Sequence, residues 1–487
     1  MASRFPVRDL SLLLLVSAAC GGEVADDDTP AAVEQAATLP RGGHVWTKRF
    51  GGASLGGHLV ADGNGAVVAS SFSGTIDLGD GPRAAVGGRD LFVARVDPFG
   101  EITWGRTFEG SGDDGVTDIV RDGDGSLYLT GAYTGDLDLA ECGVLADQPE
   151  VAGFDFPWFI AKLDASGRCL WAREYVPEPG AWSVRLSNLA LDPSGNVFVV
   201  GEVSGTLDLG GGVTLATPPS RTLGFVAKLN PDGDPLWGRV HGETNEETPW
   251  AQVFLHEAEP DGAGGVVVTG GVIGDGSVDL GNGSIGADRS FVASLDGDGV
   301  ARWSHDLPFW DVGLGGGLAT NAAGDIAFAG WFQLGFELDG HALVPVDWST
   351  NAYVAKLAPD GSAAWVEHVW GVSDPRIYDL AVTPGGNVIM AGGASEGGGL
   401  HIGGTRWEIP QQSQAMFVAR LGITTGSTIW ARIATGLAGT FVSVGDVAVS
   451  DNGRVMVYGN FGGAIDLGGG MTTASTRDEG FLVRYYP

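Results

Sequence analysis

Residues 225–237 read FVAKLNPDGDPLW. Five residues suited to a pleated strand run into an Asn-Pro-Asp-Gly turn, and the chain then returns toward a Trp. Copies of the opening phrase begin at Phe92, Phe159, Phe291, Tyr353, Phe417 and Phe481. A Trp follows the turn in every copy but the last, at Trp104, Trp171, Trp237, Trp303, Trp365 and Trp430. These Trp recur at roughly 65-residue intervals, the signature of an array of supersecondary units. The ends of the array are unequal: Trp46 has no F-V-A-K-L phrase before it, and Phe481 has no Trp after it.

Two further phrases fill the interval. LALDPSGNVFVVG at 189–201 represents the first, in which an apolar run, a D-x-x-G turn and an apolar strand succeed one another. The second is G-x-x-D-L-G, present at Asp77, Asp138, Asp208, Asp279 and Asp466, altered at Glu337 and degraded near His401. Each unit therefore holds four short strands: A and B around the D-x-x-G turn, C with the F-V-A-K-L phrase, and D with the Trp. Seven such units predict an all-β chain folded as a closed seven-bladed β-propeller of four-stranded antiparallel blades. The strand around Trp46 is expected to supply strand D of the last blade and so close the ring, which removes exposed strand edges. The repeats resemble the bacterial seven-bladed β-propeller repeat family (SBBP type, NHL-like) over residues 44–487. That resemblance implies a fold and leaves function open.

Composition agrees. The chain has 82 Gly without a G-X-Y period, which excludes collagen, and 44% hydrophobic residues, which excludes general disorder. A net charge of −33 excludes a nucleic-acid partner, because phosphate would be repelled.

Residues 1–19 carry Arg4 and Arg8, an apolar run from Leu10 to Val16 and small residues leading to Cys20. This resembles a bacterial lipoprotein signal, and implies a lipidated Cys20 as the sole membrane attachment; an ordinary export signal cut after Ala19 is the alternative. Gly21 points to an outer-membrane lipoprotein of the cell envelope. Residues 20–43 read as a flexible acidic tether. Cys142 is expected near one end of its blade and Cys169 near the other, so both are expected as free thiols; the alternative is a disulfide, which needs the 141–158 insertion to fold down the blade's outer edge.

Residues repeated in every blade are structural before they are functional. The D-x-x-G carboxylates suit turn formation, since no EF-hand ligand pattern accompanies them. The strand-D Trp suits packing between blades. Strand C carries Arg95, Lys162, Lys228, Lys356, Arg420 and Arg484, with Ser294 in the fourth unit. Their partners are expected to be the G-x-x-D-L-G carboxylates, or else solvent.

Function is sought where the blades differ. One position of strand A reads His58, Asp118, Asn188, Glu257, Gly317, Asp379 and Asp446, and is expected to line the upper channel. Trp182, Trp250, Trp310 and Trp370 fall in successive D–A junctions and are expected around the channel mouth. Aromatic faces beside carboxylates suit a sugar or a basic peptide side chain. Trp158, Trp348 and Trp407 lie in or beside B–C connections. There is no G-x-S-x-G, H-E-x-x-H or P-loop motif, and the eight His share no metal-ligand spacing. No cofactor, metal site or catalytic residue is assigned. The expectation is a non-enzymatic binding scaffold for a protein or glycan. The alternatives are a polysaccharide lyase or hydrolase working at the channel mouth, and a purely structural envelope protein.

Overall fold

The computed structural model describes residues 41–148, 156–176, 183–218, 221–242, 252–274, 276–280, 283–308, 312–346, 350–371, 374–395, 397–475 and 478–487. Cys20, Trp182, Trp250, Trp310 and Trp348 lie outside them.

Seven four-stranded antiparallel blades are arranged as a propeller. Blade 3 shows the pattern: strand A is Ser183–Leu191, B is Val197–Ser204, C is Leu223–Leu229 and D is Pro235–His241, hydrogen-bonded in that order. Strand A of each blade packs against strand A of the next around the centre. A single long strand, His44–Asp62, serves two blades. Its first part pairs with Glu479–Tyr485, with Trp46 opposite Arg484 and Lys48 opposite Leu482. Its second part is strand A of blade 1, with His58 opposite Ala69. The expected closure by the N-terminal strand is therefore present.

Among the described residues the apolar core divides into seven clusters, one in each gap between neighbouring blades. Strands B and C are covered on both faces. In blade 3, Val197, Val199 and Phe225 face blade 2, while Phe198, Val200 and Val226 face blade 4. Double coverage is why these strands read as continuous apolar runs. A Gly within strand B lies beneath a Phe of strand C: Gly201 pairs with Phe225, and a Cβ there would meet the ring at 2.9 Å and the Arg185 carbonyl oxygen at 1.9 Å.

In most blades the A–B and C–D turns are built by a side-chain acceptor, as in blade 3. Asp192 Oδ1 accepts from the N–H groups of Ser194 and Asn196 at 2.8 and 2.9 Å. Asn230 Oδ1 does the same for Asp232 and Asp234. The repeated acids of these turns are thus committed to the backbone.

Neighbouring blades are joined by a repeated clamp. The strand-C base and the strand-D Trp of one blade donate to a single carbonyl in the C–D turn of the next. Lys162 Nζ and Trp171 Nε1 reach the Pro231 oxygen at 3.3 and 3.1 Å. Lys228 and Trp237 reach that of Gly297, and Lys356 and Trp365 that of Ile423. Trp46 and Arg484 close the ring on Pro98. The turn Gly lies under the Trp ring: at Gly233, where φ is +82°, a Cβ would sit 3.0 Å from Trp171.

The expected partner of the strand-C base is corrected. Lys228 pairs with the A–B turn acid Asp192 and Lys356 with Asp325, each at 2.9 Å, and Arg95 pairs with Asp62. In blade 4, where strand C has Ser294, Arg302 of strand D takes its place beside Asp261. The G-x-x-D-L-G acids instead turn a small outer hairpin in the B–C connection. Asp466 Oδ1 accepts from Gly468 and Gly470 at 2.8 and 2.9 Å, and Asp77 acts likewise on Gly79 and Gly81.

The outer hairpin also corrects the cysteine expectation: Cys142 and Cys169 form a disulfide, with Cα atoms 5.6 Å apart. Leu137–Asp138 pairs with strand D of blade 1, and the 3-10 turn Ala140–Cys142 that follows packs against strand D of blade 2, which begins at Cys169. Thiol titration of the denatured, unreduced protein is expected to find neither residue free. Closing a 27-residue separation contributes about 3.5 kcal/mol in the chain-entropy account. Two reactive thiols in that titration would refute the bridge.

Candidate central site

Strand A carries a β-bulge next to the variable position. In blade 2, Val116 lies opposite Gly131 and Asp118 opposite Thr130, so Thr117 is the extra residue. The same shift places bulges at Ser187, His256, Tyr378 and Gly445. A bulge re-aims the side chain beside it. Here it brings each following side chain to the backbone of the next blade. Asp118 Oδ2 accepts from Leu189 N–H at 2.7 Å, and Asn188 Oδ1 from Ala258 N–H at 3.0 Å. Glu257 takes the N–H groups of Gly317 and Leu318. Asp379 Oδ2 accepts from Val447 N–H at 2.7 Å, and Asp446 Oδ2 from Leu59 N–H at 2.8 Å. The ring is therefore an inner belt of side-chain-to-backbone bonds between blades. His58 makes no such link: in blade 1 the bulge falls earlier, at Gly56. Gly317 has no side chain to offer.

The belt borders a central cavity of about 560 Å³. Its wall runs in each blade from the belt toward the A–B turn, as in Asn188 to Leu191 and Asp446 to Val449. Among the described residues the belt thus sits at one end of a cavity whose wall extends from it to the A–B side. The wall adds Glu259, Arg121, His256 and Tyr378, which the sequence reading passed over. Glu259 was recoverable, since it stands two residues after Glu257 and strand side chains share a face at that spacing. Arg121 Nε is held by Asp62 at 3.0 Å.

Burial governs the electrostatics. It pushes the Asp118 carboxyl up to about 7 and that of Glu257 up to about 8, with the charge of Asp379 adding to both. Asp379 and Asp446 are hydrogen-bonded carboxyl to carboxyl, and burial raises both above the usual range. Glu259 is raised by the same cause, then by Asp118, Asp379 and Glu257. His58 is 3.8 Å from Asp446, but burial pushes its imidazole down to about 4 and keeps it neutral at pH 7.

Stability should therefore depend on pH with a definite sign. Belt acids with raised folded values bind protons that the unfolded chain, titrating near 4, has released. Their stabilisation is complete below that value and is lost as pH rises through 7 to 8. His58, His241, His256 and His368, all pushed down to about 4 by burial, act oppositely between pH 6.5 and 4. Above pH 6.5 only the acids contribute, at about 1.4 kcal/mol per pH unit for each proton. The protein is expected to melt at a higher temperature at pH 6.5 than at pH 8.5. Asp118→Asn should flatten that slope, as Asn188 already fills the equivalent position in blade 3. Equal melting temperatures at the two pH values would contradict this.

The tryptophans fare differently. Trp370 lies on strand D of blade 5, Ala363–Gly371, at its outer edge. It pairs with His401 of the blade 6 outer hairpin, and the two rings stack at 3.6 Å and 5°. It is not in the wall of the central cavity. Trp158 is buried between blades 2 and 3, and Trp407 packs against the core between blades 5 and 6. The expected placements of Trp182, Trp250 and Trp310 fall outside the described residues. Among the described residues no group of three or more His, Cys, Asp or Glu is arranged to hold a metal.

No protein-family model matches the chain, and no curated protein matches it. Solved structures do. The BamB protein of Moraxella catarrhalis matches at 14% identity over 91% of this chain and 99% of its own, with a TM-score of 0.37. The Pan2 WD40 domain of Neurospora crassa matches at 9% identity over 90% of each chain, TM-score 0.41. A polysaccharide lyase described as an ulvan lyase matches at 10% identity over 86% and 93%, TM-score 0.40. At these identities the likeness concerns the fold alone.

Proposed function

We propose that this chain is a lipid-anchored, extracytoplasmic β-propeller, of the seven-bladed repeat type its phrases resemble, that acts as a non-enzymatic binding or interaction scaffold. The observation that carries this reading is the use of the belt carboxyls: each is held as an acceptor by the backbone of the next blade. Acids fixed in that way form a rigid wall of carboxyls that gains negative charge as pH rises through 7 to 8, and the wall guanidinium Arg121 is already engaged by Asp62. A preorganised acidic cavity favours a cationic or hydroxyl-rich group of a protein or glycan. Glycan and basic-peptide arrays on the purified protein test the reading. A bound peptide should weaken with salt, whereas a neutral sugar should not. Glu259→Gln should weaken the central mode. Trp250→Ala with Trp310→Ala should weaken a mode that uses the D–A junction tryptophans. A ligand indifferent to all three changes would defeat both versions. The anchor is tested by Cys20→Ser, which should move the protein from the membrane to the soluble exported fraction.

The second reading is an enzyme acting on a polysaccharide. It is favoured by the Asp379–Asp446 carboxyl pair and by Glu257, whose raised value would keep a general acid protonated at neutral pH. Turnover of a polysaccharide that is abolished by Asp379→Asn would establish it.

A further inference from the structure

The junction between blades 1 and 2 holds a second cavity, of about 270 Å³, whose wall includes Arg89, Asp113, Asp114, Tyr133, Thr134 and Phe156. Asp114 is 2% exposed, and neither of its carboxyl oxygens has a hydrogen-bond partner. The donors around it are committed elsewhere. Thr134 N–H donates to the Asp113 carbonyl at 3.0 Å, and Asp113 N–H donates to Thr134 Oγ1 at 2.6 Å. Gly110 N–H and Val86 N–H are taken by the buried carboxylate of Asp90, at 3.0 and 2.7 Å. The Arg89 guanidinium lies 3.5 Å from Asp113. Asp114 N–H donates to the Arg89 carbonyl at 2.9 Å, so the loop is pinned in place.

Of the two carboxylates in the cavity wall, Asp113 has the Arg89 guanidinium beside it, and the more buried Asp114 has no donor. A buried carboxylate without a partner is costly and rare in a folded protein. The burial, followed by the charge of Asp90, pushes Asp114 up to about 7, against a smaller opposing pull from the nearby Thr134 N–H. The repeats set this junction apart, because no other D–A junction carries an Asp–Asp pair.

We propose that this cavity receives the guanidinium or primary ammonium group of a basic side chain, with Asp114 as its anchoring partner. Either group brings the donors that Asp114 lacks and offsets the excess negative charge. Phe156, 47% exposed in the cavity wall, offers a ring to the cation. The cavity wall holds two carboxylates, Asp113 and Asp114, whereas calcium takes about six to eight oxygen ligands. The cavity is separate from the central one, so the proposal stands apart from the scaffold reading.

The test titrates the purified protein at pH 8 with ethylguanidinium and with butylammonium, using calorimetry or chemical-shift changes. Saturable binding is expected, weakened about tenfold or more by Asp114→Asn, in line with loss of a charged hydrogen bond. Phe156→Leu, which keeps the carboxylate, should weaken ethylguanidinium severalfold, while Asp446→Asn reports any separate cation binding in the central cavity and should leave the Asp114-dependent component unchanged. Asp114→Asn removes a buried charge, so it should fold, and its melting curve verifies that. Absence of saturable binding by either cation would overturn the proposal. So would equal binding by Asp114→Asn, loss confined to Asp446→Asn, or Asp114-dependent binding of calcium alone.

Discussion

A chain lacking residues 44–50 is expected to lose roughly 10 °C or more of melting temperature and to self-associate. This segment is strand D of blade 7 and the last link of the ring. Its removal deletes Phe50, which is fully buried and packs on Phe92 and Tyr458. It also deletes Trp46, whose indole donates to the Pro98 carbonyl at 3.0 Å and so ties blade 7 to blade 1. Loss of one buried Phe alone costs about 3–5 kcal/mol, a large share of the roughly 5–15 kcal/mol by which domains are stable. The strand Glu479–Tyr485 would then be an open edge available to a second molecule. Differential scanning calorimetry with size-exclusion chromatography checks both consequences. A monomeric deletion variant that melts with the parent would refute the closure.

The next largest effect is expected for Trp303→Ala, at about 3–5 kcal/mol. Trp303 is 8% exposed, its indole donates to the Pro359 carbonyl at 3.2 Å, and its ring covers Gly361, where φ is +87°. Truncation empties part of the gap between blades 4 and 5 and leaves that carbonyl without its donor. Trp303→Phe retains most of the area and should cost less. Trp370→Ala is the control, since that ring lies half-buried at an outer edge, stacked on His401, and fills no core gap between blades. Denaturant unfolding should place Trp303→Ala as the most costly of the three, Trp303→Phe next and Trp370→Ala last. A Trp303→Ala variant as stable as Trp370→Ala would show that the clamp contributes little.

Residue 302 illustrates how far the repeats can be read. Ser294 stands out in the sequence as the blade that lacks a strand-C base. Only the folded blade shows Arg302 arriving beside Asp261 from the adjacent strand. The candidate site divides in the same way. The alignment of Asp118, Asn188, Glu257, Asp379 and Asp446 on one ring was legible, because the repeat fixes the position of each residue in strand A. That their oxygens are taken up by the next blade was not, because the bulge that turns them is a shift in register and leaves no distinctive residue type: Thr117, Ser187, His256, Tyr378 and Gly445 have nothing in common. Trp370 was misplaced for a related reason. Strand D of blade 5 runs on to Gly371 by pairing with a hairpin of blade 6, an extension that depends on a contact between repeats.

What the sequence determined by itself is the part of the structure that recurs. Strand period, turn residues, the number of blades and the origin of the closing strand follow from local rules applied seven times, and local rules are written in contiguous residues. What the tertiary structure alone decided lies between repeats or along their outer edges. The Cys142–Cys169 bridge, the pairing of strand-C bases with turn acids, the direction of the central cavity and the partnerless Asp114 depend on distances between segments far apart in the chain. Those distances are set by how blades twist and pack against one another, which no single repeat encodes.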